Sequence, residues 1–107
     1  GAQVQLVCAS WGAGPRKADQ WDLLVRARAA DSTSFVLACG QSDPAAAGVE
    51  SRPGAPTGIG RSAVVGPFGN LIERAGDGPE IIYADIDLGV VEEARRALPV
   101  LANRASF

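Results

Sequence analysis

Gln20–Ser34 reads QWDLLVRARAADSTS and runs straight into Phe35–Gln41, FVLACGQ. In the first stretch Trp21, Leu24 and Val25 fall on one helical face, and Leu23, Ala27 and Ala30 form a neighbouring stripe. So wide an apolar surface predicts a helix covered on more than one side. Asp19 suits the N-cap, Asp22 three residues later imitates a capping box, and Asp22 with Arg26 makes an acid-first i,i+4 pair. The helix is therefore expected over Asp19–Asp31. Ser34–Gly40 is short, apolar and bounded by small residues, the pattern of a buried strand. Upstream, Val4–Ala9 (VQLVCA) has the same texture and suits a centrally buried strand. Ser10–Ala18 between them is a loop punctuated by Gly12, Gly14 and Pro15. Strand, helix and strand in succession make a βαβ unit, which sets the fold class as α/β.

Downstream, residues 42–60 are rich in Gly, Pro and Ala and read as a long loop, with surface filler as good an account of it as function. Ser62–Val65 and Leu71–Ala75 flank Gly66-Pro67-Phe68-Gly69-Asn70 and predict a hairpin. After the turn Gly76–Pro79, Glu80–Ile86 (EIIYADI) predicts a third strand of an antiparallel meander. Asp87 can cap a last helix over Leu88–Leu98, with Glu92 and Glu93 early, Arg95 and Arg96 late, and Pro99 ending it.

Composition excludes several function classes. The net charge is −2 and the ten basic residues are dispersed, so there is no stripe for a nucleic-acid backbone. No apolar run reaches the roughly 18 residues of a membrane helix, and no basic segment leads an apolar one as in a signal peptide. A cytoplasmic protein is expected. Histidine is absent, so Ser-His-Asp and Cys-His arrangements and His-ligated zinc cannot be built from this chain alone. Cys8 and Cys39 form no CxxC motif, and both lie in strand-like runs where a buried thiol acting as a small hydrophobe is expected. With no Met and a strand almost at Gly1, the chain reads as a piece of something longer.

Five stretches in order give the chain a family likeness. They are GAQVQLVCAS at Gly1–Ser10, LVRARA at Leu24–Ala29, ACGQ at Ala38–Gln41, GRSAVVGPFG at Gly60–Gly69 and ADIDL at Ala84–Leu88. The last leads into a helix carrying Val91, Arg95 and Pro99. In this order the chain resembles the C-terminal part of a nitrilase-superfamily enzyme, a carbon–nitrogen hydrolase acting on amides or nitriles. The resemblance implies an α-β-β-α sandwich, with residues 1–107 as the C-terminal segment of a single domain. It implies acyl transfer through a cysteine thioester, with a glutamate and a lysine, on a small-molecule amide or nitrile. It also implies homodimerisation, through helices that include the one over Asp19–Asp31. The catalytic groups lie upstream in the family, so no catalytic residue is assigned in this chain. Cys8 and Lys17 follow the wrong elements for nucleophile and oxyanion donor.

Ligands of layered α/β folds gather at strand C-terminal ends, which nominates Ser10 and Trp11 after the first strand and Gly40 and Gln41 after the second. By resemblance the stretch around Trp11 lines the substrate pocket; a packing or interface aromatic is the equal alternative. Gln41 reads as a strand-end cap before it reads as a ligand. Gly58-Ile59-Gly60 lacks dinucleotide spacing, and Gly54–Ser62 lacks the lysine of a phosphate loop. Asp85 and Asp87 share a strand face, but solvation and helix capping explain both. No metal or cofactor is expected. The competing reading is a non-catalytic self-association fragment of the same fold, because helices on one side only would leave an apolar sheet face uncovered.

Overall fold

Trp21, Val25 and Ala29 recur at helical spacing, and all three are buried. They belong to α1 (Lys17–Ser32), which lies on a four-stranded sheet ordered β1-β2-β3-β4. The strands are β1 (Val4–Ala9), β2 (Phe35–Gly40), β3 (Ala63–Val65) and β4 (Leu71–Arg74), and a second helix, α2, spans Gly89–Ala97. This computed structural model describes residues 1–100 and 102–105. β1 and β2 pair in parallel, as the βαβ reading requires, while β2–β3 and β3–β4 are antiparallel. The hairpin closes with the Gly66 N–H donating to the Asn70 carbonyl at 2.8 Å and the Gly69 N–H to the Gly66 carbonyl at 2.8 Å.

Alternation along the strands divides the residues between two unlike faces. Val36, Ala38, Ala63 and Val65 meet Trp21, Val25 and Ala29 in the core, with Val7, Ala9, Trp11 and Ile59 packed against them. On the opposite face Phe35 and Val64 are buried, but Leu6 is 73% exposed, and Cys8 and Cys39 are exposed too. The uncovered face expected from the sequence is thus present around β1 and the end of β2.

Five expectations are corrected. β1 is an edge strand whose residues alternate between half-buried and exposed, not a centrally buried one. The thiols are not buried, because they stand on the face that α1 leaves open. The helix begins two residues before Asp19: Arg16 takes a left-handed conformation (φ 62°), the Lys17 N–H donates to the Gly14 carbonyl, and no side chain caps the end. It is also covered on one side only, since Leu23 and Leu24 are 67% and 51% exposed.

Glu80–Ile86 is the fifth. The segment keeps the in–out alternation of a strand, with Ile81 and Tyr83 exposed and Ile82, Ala84 and Ile86 half-buried. Yet none of its backbone groups takes part in a hydrogen bond among the described residues. A strand needs a neighbour to satisfy its N–H and C=O groups, and no adjacent segment of the described chain supplies one. α2 follows as expected. The Asp87 carboxylate accepts from the Gly89 N–H at 2.8 Å, and Arg95 donates to the Ala2 carbonyl at 2.7 Å, tying the helix to the start of β1.

Candidate functional site

At the C-terminal end of β2 the chain is locked by close backbone approaches. The Gln41 N–H donates to the Ala9 carbonyl at 2.9 Å, and the Gln41 carbonyl accepts from the Gly60 N–H at 2.8 Å. A Cβ on Gly40 would stand 2.2 Å from the Gly60 carbonyl oxygen. One on Gly60, itself at φ +66°, would stand 2.4 Å from the Asp77 carbonyl oxygen. Only glycine fits at either position. Beside this crossing lies a cavity of about 400 Å³ whose walls include Cys39, Gly40, Ser62, Ala75, Glu80 and Ile81. The Ser62 hydroxyl accepts from the Gly40 N–H at 3.1 Å, and Glu80 Oε2 accepts from the Gly76 N–H at 2.8 Å.

Of the four residues nominated from the sequence, the structure brings Gly40 to this cavity. Gln41 is next to it but acts through its backbone as a strand-end cap, its side chain exposed. Ser10 is exposed at the end of β1. Trp11 packs at the head of α1: its indole N–H donates to the Lys17 carbonyl at 2.9 Å, and its ring centroid is 5.7 Å from that of Trp21. Lys17 Nζ sits 5.2 Å from the Trp11 ring centroid, a cation–π placement. Ser62 and Glu80 were not singled out. Ser62 had a signal in the Gly60-Arg61-Ser62 stretch; Glu80 had none, since its role depends on where the 76–79 turn goes.

The cavity wall is fastened to α1 by charge. Asp22 Oδ2 accepts from Arg61 at 3.0 Å and also from Arg74, both side chains being mostly buried. The Trp21 indole N–H donates to the Arg61 carbonyl at 2.9 Å, and the Arg61 N–H donates to the Gly76 carbonyl at 2.8 Å. These bonds hold Arg61 at φ 59°, which a non-glycine residue seldom adopts. The expected Asp22–Arg26 pair does not form, because Asp22 is engaged inward and Arg26 Nε donates to the Gly69 carbonyl at 2.8 Å. Burial alone would raise the Asp22 pKa above its ordinary 3.8, but hydrogen bonds from Arg74 and Arg61, with their charges, outweigh it and lower the value.

The sequence and the fold have counterparts among known proteins. The family model for carbon-nitrogen hydrolases matches residues 1–96. The chain belongs to the carbon-nitrogen hydrolase family. A Mycobacterium tuberculosis protein named Hydrolase Rv0480c is 50% identical over all of this chain, which spans 39% of that relative. Deaminated glutathione amidase of Escherichia coli O157:H7 is 34% identical over 97% of the chain and 35% of the relative. The crystal structure of a carbon-nitrogen hydrolase from Helicobacter pylori G27 superposes with a TM-score of 0.74 at 28% identity, over 97% of this chain and 38% of that one. The expected nitrilase-superfamily fold is therefore the fold found. The chain spans well under half the length of these relatives.

A folded pKa below the unfolded one means that Asp22 contributes stability above the unfolded value, and the contribution is lost as pH falls through the folded value. Asp22→Asn is expected to cost about 1.5–3 kcal/mol near neutral pH, the range for hydrogen bonds to charged groups. It should also flatten the loss of stability below pH about 4. Urea denaturation across that pH range checks both; parallel stability curves for the two proteins would show that Asp22 is not held by the arginines.

Proposed function

We propose that residues 1–107 are the C-terminal segment of a single carbon–nitrogen hydrolase domain. In this reading the longer protein hydrolyses a non-peptide C–N bond of a small-molecule amide. The family match over residues 1–96 carries this proposal, and a relative named as an amidase favours amide over nitrile. A cysteine thiolate attacks the amide carbonyl carbon while a lysine stabilises the developing oxyanion. A glutamate delivers a proton to the departing amine, leaving a thioester, and then activates the water that releases the acid. In this reading all three groups come from sequence preceding Gly1. Lys17 is turned onto Trp11, and Cys8 and Cys39 have no histidine beside them as base. The chain contributes a wall of the pocket at Gly40 and Ser62, held in place by α1 through Asp22 and Arg61. The test is ammonia release from a panel of small primary amides. The full-length protein is expected to release ammonia and the 107-residue chain none. Release by the isolated chain, or none by the full-length protein on any amide, would count against the proposal.

Leu23 and Leu24, exposed on the outer side of α1, support a further part of this reading: a homodimer formed through that helix. Light scattering of the full-length protein is expected to give twice the monomer mass, and a monomer at micromolar concentration would exclude it.

A further inference from the structure

Among the described residues three that are not glycine take a left-handed backbone, and two of them, Arg16 and Thr33, bracket α1, where the chain turns into and out of a helix. The third, Arg61 at φ 59°, ends no helix and directly follows Gly60, itself at φ 66°. A residue with a Cβ is disfavoured in this conformation. It persists only where its surroundings over-determine it, and such residues gather at functional sites. Three contacts do so here. The Arg61 carbonyl accepts from the Trp21 indole N–H at 2.9 Å, its N–H donates to the Gly76 carbonyl at 2.8 Å, and its guanidinium donates to Asp22 at 3.0 Å. Every partner lies within this chain, so the arrangement does not depend on what covers the open sheet face.

The residue placed by this conformation is Ser62. Its carbonyl accepts from the Ala75 N–H at 2.8 Å, and its hydroxyl oxygen accepts from the Gly40 N–H at 3.1 Å. The hydroxyl hydrogen is less well provided for. The Gly40 carbonyl stands 3.5 Å from Ser62 Oγ, against about 2.7–2.8 Å for an ordinary O–H···O bond. Ser62 and Gly40 both border the cavity, so a ligand atom there can take that hydrogen. We propose that Arg61 is a positioning residue: its left-handed backbone aims the Ser62 hydroxyl, anchored on the Gly40 N–H, at a hydrogen-bond acceptor of the substrate. A carbonyl or carboxylate oxygen is the matching chemistry. The substrate contact rests on the hydrolase reading above; the placement of Ser62 does not.

The experiment compares the full-length protein with its Arg61→Ala, Arg61→Gly and Ser62→Ala variants, by hydrogen exchange at single amides and by amide-hydrolysis kinetics. Alanine and glycine both lack the guanidinium, but only glycine takes a positive φ freely. Arg61→Ala and Ser62→Ala are expected to speed exchange at the Gly40 amide while the other β2 amides keep their rates. Arg61→Gly should recover most of the protection. On an amide that the unaltered protein hydrolyses, Arg61→Ala and Ser62→Ala should each raise KM about tenfold, the order of one hydrogen bond. With kcat little changed, that is the pattern of lost ground-state binding. Unaltered Gly40 exchange in Arg61→Ala, equal losses in Arg61→Ala and Arg61→Gly, faster exchange throughout β2, or an unmoved KM in Ser62→Ala would each overturn the proposal. Failure of the unaltered protein to hydrolyse any amide would overturn the hydrolase reading and the substrate contact with it, whereas the Gly40 exchange pattern decides the placement of Ser62 in either case.

Discussion

Trp21, Val25 and Ala29 close one face of the sheet against Val36, Ala38, Ala63 and Val65, and the rest of the chain is arranged around that contact. Burying a valine-sized side chain is worth about 1.5–3 kcal/mol, so this layer supplies most of the apolar driving force the described residues display. It also fixes the helix rotation. With Trp21 inward, Asp22 faces the hairpin side and reaches Arg61 and Arg74, while Leu23 and Leu24 are left in solvent. Among the described residues no comparable helix covers the opposite sheet face. That face leaves Leu6 and two thiols open, on a chain that spans well under half of its relatives' length.

The polar contacts extend this packing to the loops. Arg61 ties two elements through three contacts: its side chain meets α1 at Asp22, its carbonyl meets α1 at Trp21, and its N–H meets the turn at Gly76. Gly60, one residue earlier, passes so close to Asp77 that no side chain fits. Together they thread the end of the 42–60 loop between the end of β2 and the 76–79 turn, and the cavity lies beside that crossing. Asp22 is shared by the Arg61 and Arg74 guanidiniums, and Arg61 also lies 4.0 Å from the Asp77 carboxylate, a charge network beside the cavity that composition alone would not reveal.

Much of this was legible in the sequence. Helical spacing in Gln20–Ser34 and two short apolar runs announce the βαβ unit, and Gly66–Asn70 announces the hairpin. Five ordered stretches are enough to mark the family. What failed did so for physical reasons. Asp19 and Asp22 both suit a helix start, but Asp22 gains more from two half-buried arginines than from a cap. EIIYADI has every local property of a strand, yet pairing is not local, and no described neighbour accepts its backbone. The thiols at Cys8 and Cys39 look buried from their apolar neighbours, but exposure depends on what covers each sheet face. Gly40, nominated by the rule that ligands gather at strand ends, does border the cavity. Glu80 was out of reach, because its place is set by a turn that brings distant residues together.

The central claim is that this chain is one layer of a larger sandwich whose strand at Glu80–Ile86 and outer sheet face are completed from elsewhere in the protein. Amide hydrogen exchange measured on the 107-residue chain and on the full-length protein tests it most directly. The account predicts that amides of Glu80–Ile86 exchange at nearly unprotected rates in the chain alone and slowly in the full-length protein, while those of β2 are protected in both. Protection of Glu80–Ile86 in the isolated chain, or its absence in the full-length protein, would contradict it.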